Sequence, residues 1–341
     1  QAQPRQIKIA VPARPDGAVA VIQGRRTVAV TGATGFLGRQ VVVALAAQGW
    51  QVRVLVRTQP LHPLWQTIEP EVVLGSLADT AALERLVTGC DAVLHLAGLI
   101  KARNEAEFMA VNRDGSKALA DATRRLAPKA HFLHVSSLAA REPQLSGYAA
   151  SKQASEKAVL AALPPDRISI VRPPAIYGPG DRETLIFFQL ARQALVPLLG
   201  RPEARMAVIH VEDAAHALVT QLDAPASGGV RYIADDRPEG YGWRDILDAA
   251  AVAVGNPKPR YVQVPRLLLS SVAHTSGALA QLTGQVAMLN AGKLRELLHP
   301  DWSVPADQLL KHPAAPARRK LLEGFKTTAE WYRTAGWLPP P

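Results

Sequence analysis

Residues 31–38 read Thr31-Gly32-Ala33-Thr34-Gly35-Phe36-Leu37-Gly38, and the reading of this octet decides the fold. A β-prone run, Thr27–Val30, leads into it, and a helix-forming stretch, Leu37–Gln48, leads out. The three glycines have separate tasks in such a strand–turn–helix joint. Gly32 permits the tight turn, Gly35 lets a ligand approach the backbone, and Gly38 lets the helix lie close on the strand. Free N–H groups at the positive end of the helix dipole then suit a pyrophosphate. In isolation the octet is no more than a turn. Between a strand and a helix it predicts a dinucleotide site at Gly32, Thr34, Gly35, Phe36, Leu37 and Gly38.

Outward from the octet the chain keeps the same rhythm. Short apolar runs at Val52–Val56, Glu71–Leu74, Ala92–Leu96, Phe132–Val135 and Ile168–Val171 alternate with helical stretches at Ala78–Thr88, Glu105–Arg125 and Tyr148–Leu163. That alternation predicts an α/β fold, a Rossmann-type doubly wound parallel sheet whose strands are covered on both faces. After Pro173 the rhythm loosens. Helices are expected at Glu183–Leu195, Asp213–Leu222, Trp243–Val254, Arg266–Thr283 and Lys320–Ala335, with strands at Met206–His210 and Val230–Ala234. The expected organisation is an extension over 1–26, either a small hairpin or a tail, and a dinucleotide-binding domain over 27–175. Residues 209–225 return to that domain, and a smaller, mostly helical substrate lobe takes 176–208 and 226–341.

The second strand ends in Leu55-Val56-Arg57-Thr58, with no carboxylate to accept from a ribose 2′-hydroxyl. Arg57 would instead pair with a 2′-phosphate, with Arg39 in support, so NADP is the expected cofactor and NAD remains open. The alternative is an Arg57 that stacks on adenine or faces solvent.

Tyr148-Ala149-Ala150-Ser151-Lys152 places a phenol and an ammonium at i and i+4 on one helix face. A nearby cation favours phenolate and would lower the phenol pKa from about 10 towards neutrality, so that Tyr148 exchanges a proton with an alcohol or carbonyl. Ser137 follows the fifth strand at its C-terminal end, where open α/β sheets bind ligands, and its hydroxyl could orient the substrate oxygen.

Residues 27 to about 235 resemble the extended short-chain dehydrogenase/reductase superfamily, nearest its 3β-hydroxysteroid dehydrogenase and dihydroflavonol reductase-like branch. The resemblance rests on Thr31–Gly38, His95-Leu96-Ala97-Gly98, Val111-Asn112-Arg113-Asp114-Gly115, Val135-Ser136-Ser137, Tyr148–Lys152, Arg172–Asp181 and His210-Val211-Glu212-Asp213. It implies a catalytic set of Ser137, Tyr148, Lys152 and Asn112, with Lys152 also bonding the nicotinamide ribose. It further implies that Leu96, Ala97 and Gly98 line the adenosine side and that Pro173 and Pro174 border the nicotinamide. Many relatives carry Gly-Asp-Leu after the third strand. Here Gly75-Ser76-Leu77 puts a hydroxyl at Ser76 in place of the acid that approaches adenine in those relatives, while Leu77 can still pack on the ring.

The function expected is hydride transfer between nicotinamide and an alcohol or carbonyl. A nucleotide-sugar epimerase or dehydratase with retained NAD is the enzymatic rival, and a non-catalytic dinucleotide-binding scaffold or redox sensor the other. Apolar residues at Leu185–Leu198 and Leu267–Leu282 favour an apolar, ring-bearing small molecule over a nucleotide sugar. The net charge of +10 is spread along the chain without stacking platforms, which points to an anionic cofactor and away from nucleic acid. No run is long and apolar enough for a transmembrane segment. One cysteine, Cys90, excludes an intrachain disulfide and fits a packed thiol in a cytoplasmic protein. The histidine spacings suit no metal site: His131 and His134 fall on opposite strand faces, and His210 and His216 miss the helical chelate spacing. Asp213 is expected to cap its helix. Trp331, Tyr332 and Trp337 are expected to close a core, and a homodimer is left open.

Overall fold

The computed structural model describes residues 26–58, 62–198, 201–256, 258–264, 291–310 and 319–340. Seven parallel strands form the main sheet. In chain order they are β1 (Thr27–Thr31), β2 (Gln51–Val56), β3 (Glu71–Leu74), β4 (Ala92–His95), β5 (His131–Val135), β6 (Ile168–Arg172) and an edge strand, Val230–Tyr232. Their spatial order runs from the edge strand through β6, β5, β4, β1 and β2 to β3. The chain winds outward from β1 to β3, then crosses back to β4 and winds the other way. The reversal opens a crevice at the C-terminal ends of β1 and β4, where such sheets bind ligands.

Both faces are covered, which explains the near-continuous apolar character of the strands. Val28, Val30, Val52 and Val54 pack with α1 (Phe36–Ala47) and α7 (Val211–Asp223). Ala29, Val93 and Phe132 point the other way, onto α2 (Thr80–Val87), α4 (Gly115–Leu126) and α5 (Gly147–Ala162). A separate core gathers Tyr177, Phe188 of α6 (Leu185–Ala191), Ile246 of α8 (Trp243–Val254), and Phe325 and Tyr332 of the helix Leu321–Thr334. Trp331 and Trp337 pack against it, so the aromatic C-terminus does close a core.

Four expectations change. The helix expected over Glu183–Leu195 is α6 alone, and Leu195–Leu198 is a strand paired in parallel with Arg260–Gln263. The helix has ended by Ala191, and Pro197, which lacks an N–H donor and disfavours a helical Val196, suits the extended run that follows. The strand expected over Met206–His210 is two: Arg205–Met206 pairs with Asp301–Trp302, and Val208–His210 with Ala175–Tyr177. The strand expected over Val230–Ala234 is Val230–Tyr232, and it extends the main sheet beside β6. The single helix expected over Glu105–Arg125 is α3 (Glu105–Phe108), a π-helical turn at Met109–Asp114, and α4. The helix expected over Arg266–Thr283 and the readings of residues 1–25 lie outside the described residues. Among the described residues no helix is long and apolar enough to cross a membrane.

Candidate active site

The turn after β1 is limited by its backbone. Gly32 has φ +72°, and a Cβ on it would lie 2.6 Å from the Ala97 nitrogen. A Cβ at Gly38 would lie 2.1 Å from the Gly32 carbonyl oxygen. The Gly35 N–H closes the turn on that same oxygen at 3.0 Å. Gly35 is the N-cap of α1 and brings no side-chain cap, and no acidic residue occupies the first helical turn. The first N–H groups of α1 are thus left to a ligand, with Thr34 and Gly35 exposed and Phe36 and Leu37 half-buried around them. This donor set, with no carboxylate to repel an anion, fits a dinucleotide pyrophosphate.

The expected adenosine side lies next to it. Thr31 Oγ1 accepts the Ala97 N–H at 3.3 Å and sits 2.6 Å from His95 Nδ1, which holds Leu96, Ala97 and Gly98 beside Gly32. Arg57 is exposed at the end of β2. Arg39, expected in support, has a partner of its own. Its guanidinium meets His62 Nε2 at 2.9 Å, and burial lowers its pKa. Ser76 Oγ accepts the Ala78 N–H at 3.3 Å, and Leu77 packs on Gly115, where a Cβ would come within 2.9 Å.

At the far side of the crevice, Ser146 caps α5 by accepting the Ala149 N–H at 3.0 Å, which starts the helix one residue before Tyr148. Ser137 Oγ accepts the Ala139 N–H at 3.2 Å, and its hydroxyl lies near enough to the Tyr148 phenol to favour the phenolate. Pro173 and Pro174 are buried behind it, and the Pro173 carbonyl accepts the Leu138 N–H at 2.8 Å. Asn112 sits in the π-helical turn, with Oδ1 on the Leu99 N–H at 2.7 Å and Nδ2 donating to the Leu99 carbonyl at 3.0 Å and to Ser151 Oγ at 2.8 Å. Lys152 is buried and donates to the Val135 carbonyl at 2.9 Å. The structure therefore brings Ser137, Tyr148, Lys152 and Asn112 together.

The electrostatics correct one expectation. The Tyr148 phenol is not lowered towards neutrality but pushed up to about 12. Burial is the main cause, Glu296 adds to it, and the Ser137 hydroxyl opposes it. Lys152 itself is lowered to about 8 by burial, against the pull of Glu156. Glu156 is buried in turn and takes Arg172 Nη2 at 2.6 Å and Nε at 2.8 Å, so Arg172 pins α5 to the sheet. Beneath Lys152 the rings of His95 and His134 stack at 5.2 Å, and burial lowers His95 to about 3. Asp213 does not cap its own helix. His210 does so, by accepting the Glu212 N–H at 3.3 Å, while Asp213 accepts the Arg319 N–H at 2.9 Å. Cys90 is buried, and burial raises its thiol to about 11.

A cleft of about 230 Å³ opens onto Tyr148. Its walls include Ile100, Lys101, Arg103 and Phe108 on one side and Arg295 and Glu296 on the other. None of the described apolar residues expected to form a substrate wall lies in it. Phe188 is core, Leu185 and Phe187 pack against that core, and Ile186 and Leu195 are exposed; Leu267–Leu282 lies outside the described residues. The sequence reading missed Glu296 and Ser146. Ser146 carries a local signal, a hydroxyl residue just before a helix. Glu296 carries none, since its partner Ser146 is 150 residues away.

Residues 28–234 match the family model described as the NAD dependent epimerase/dehydratase family. The chain is 49% identical over 316 residues to a ceramide reductase of Caulobacter vibrioides, covering 92% of this chain and 97% of that one. It is 34% identical over 169 residues to a 4-hydroxy-2-methyl-3-oxo-4-farnesyl-3,4-dihydroquinoline-1-oxide ketoreductase of Stigmatella aurantiaca, covering 45% and 51%. Among solved structures, the Bordetella bronchiseptica enzyme WbmH in complex with NAD+ superposes with a TM-score of 0.67 at 19% identity, covering 91% and 99%, a likeness of fold. On this sequence match and this sheet, the chain is an oxidoreductase belonging to the NAD dependent epimerase/dehydratase family.

Proposed function

We propose that this protein is an NADPH-linked reductase of a ketone carried by a ceramide-like lipid, that is, an N-acylated long-chain amine. The observation that carries this reading is the 49% identity to a ceramide reductase along nearly the whole of both chains. The site geometry is what such a reaction requires. Tyr148 lines the cleft and the Ser137 hydroxyl acts on its phenol, so both would donate to a carbonyl oxygen. Burial keeps the phenol protonated across neutral pH, which is the form that gives a proton to the reduced oxygen. Lys152, held at Val135 and close to Asn112 and Gly98, would hold the nicotinamide ribose, and its ammonium favours the phenolate left behind. Gly32, Gly35 and Gly38 would cradle the pyrophosphate, and exposed Arg57 would meet a 2′-phosphate. The bound nicotinamide supplies the hydride to the carbonyl carbon. A long-chain amide lipid replaces the ring-bearing substrate as the preferred class, because the described cleft walls are polar and suit a head group.

The test is NADPH consumption with a long-chain N-acyl amino ketone and mass-spectrometric identification of the product. The expected result is the secondary alcohol, with one deuterium from 4-deuterated NADPH. Stable retention of NAD through purification, with interconversion of a nucleotide sugar and no net NADPH use, would overturn it in favour of epimerisation.

A further inference from the structure

The helix Ala291–Leu297 stands against the loop that precedes Tyr148 and is fixed there from two directions. Arg295 Nε donates to the Leu145 carbonyl at 2.7 Å, and Trp302 Nε1 donates to the Glu296 carbonyl at 2.8 Å. Between these anchors the Glu296 side chain is buried and yet lines the cleft. Its Oε1 accepts the Ser146 hydroxyl. Its Oε2 lies 3.6 Å from Lys293 Nζ, beyond an ordinary hydrogen bond. A carboxylate has about four acceptor positions, so the Ser146 bond and the longer Lys293 ion pair leave acceptor capacity on a residue that lines the cleft.

Of the other charged groups of the cleft, Lys293 pairs with Glu296 itself, and three have partners elsewhere. Lys101 reaches Glu183 at 2.6 Å, Arg103 meets Glu107 at 3.4 Å, and Arg295 is spent on Leu145. Glu105 also lines the cleft but is exposed, where water satisfies it. A buried carboxylate with open acceptor positions costs free energy unless a donor fills them. Tying Ser146 down needs only one oxygen. The rest of the carboxylate is available to whatever molecule sits over Tyr148.

We propose that Glu296 accepts a hydrogen bond from a donor beside the reacting carbonyl, an amide N–H or a hydroxyl, and thereby selects amido or hydroxy ketones over plain ones. This rests on the reading above that Ser137 and Tyr148 receive the carbonyl oxygen. Proximity supports it, since the carboxylate is bonded to the residue two before Tyr148 and its charge acts on the phenol. Glu296 is then a specificity residue supplied by a part of the chain remote from the reductive machinery.

The test uses two long-chain ketones that differ only in whether the amide nitrogen carries hydrogen or methyl. Both kcat/KM and the dissociation constant in the presence of NADP are measured for the wild type, Glu296→Gln and Glu296→Leu. Loss of a bond to a charged acceptor predicts a wild-type preference for the N–H ketone of about 10- to 100-fold. The preference shrinks in Glu296→Gln and vanishes in Glu296→Leu. Glu296→Gln keeps an acceptor for Ser146 and nearly the same volume, so the graded fall is readable even if the leucine variant folds poorly. An equal preference in the wild type and Glu296→Gln, or none in the wild type, overturns the proposal. A binding preference without turnover supports the anchor and rejects the proposed reaction.

Discussion

At the Gly32–Gly38 turn the chain works with backbone alone, while around Tyr148 it works with side chains gathered from four separate stretches. A single methyl group at Gly38 would strike the Gly32 carbonyl within the same turn, and one at Gly32 would strike the backbone of Ala97. Around Tyr148 the parts come from the end of β5, the π-helical turn, α5 and the helix Ala291–Leu297, each held by its own hydrogen bonds. The first kind of site tolerates almost no substitution but is complete once the turn forms. The second can be retuned one residue at a time without disturbing the dinucleotide turn.

Replacing Tyr148 with Phe gives the largest separation of the two. Hydride transfer should fall by about 10²–10⁴ through loss of the proton donor, with dinucleotide affinity unchanged within a few-fold. Stopped-flow transfer rates set beside calorimetric cofactor binding decide it, and unchanged turnover would remove Tyr148 from the chemistry. The reverse break is Gly38→Ala. Its 2.1 Å contact with backbone leaves no rotamer escape, so stability should drop by about 3 kcal/mol or more, and pyrophosphate binding should go with it. A Gly38→Ala protein that melts normally and binds NADPH would show the turn to be less constrained than the contact implies.

Cofactor choice is a smaller effect and sharpens the account of the turn. If exposed Arg57 meets a 2′-phosphate, NADPH should bind better than NADH by about 1.5–3 kcal/mol, and Arg57→Ala should erase the difference. Equal calorimetric affinities for both cofactors in the wild type would assign Arg57 to solvent.

The smallest effect is the most diagnostic for the side-chain site. Burial lowers Lys152 from 10.5 to about 8, so its ammonium is lost as pH rises through 8, and the reduction rate should decline there. Over the range from about 8 towards 10.5 the unfolded chain binds more protons at this lysine than the folded one does. Its contribution to stability therefore rises with pH. Rate falling while chemical-denaturation stability holds or climbs is the expected pair. A parallel fall in both would mean that unfolding causes the alkaline limb, not Lys152.

Much of this was legible in the chain itself, for identifiable reasons. The central strands announce themselves because both of their faces are buried, which makes their apolar runs nearly continuous, while the edge strand β3 is short and half-exposed. Ser137, Tyr148 and Lys152 could be paired because strand ends and helix spacing are local properties. Val230–Tyr232 was placed apart from the main sheet because three residues do not say which neighbour they join. The helix expected over Glu183–Leu195 ran past Ala191 because its apolar residues continue, although the structure ends the helix there. The phenol of Tyr148 was expected to shift downward because Lys152 is visible four residues on. Burial, and the carboxylate of Glu296, act from distances in sequence that no motif spans.

The π-helical turn at Met109–Asp114 has a consequence for chain length. Such a turn holds one residue more than a regular α-helix would need. Removing any one residue between positions 109 and 114 would let the helix regularise, a locally favourable outcome. Because each α-helical residue advances the helix by about 100°, α3 would then swing by roughly that angle relative to α4. Phe108, which now faces Tyr148 with ring centroids 6.1 Å apart, would leave the cleft, and Asn112 would lose its register with Leu99. Substitutions in this stretch act one side chain at a time, whereas a single-codon deletion would turn an entire wall of the cleft away from the chemistry.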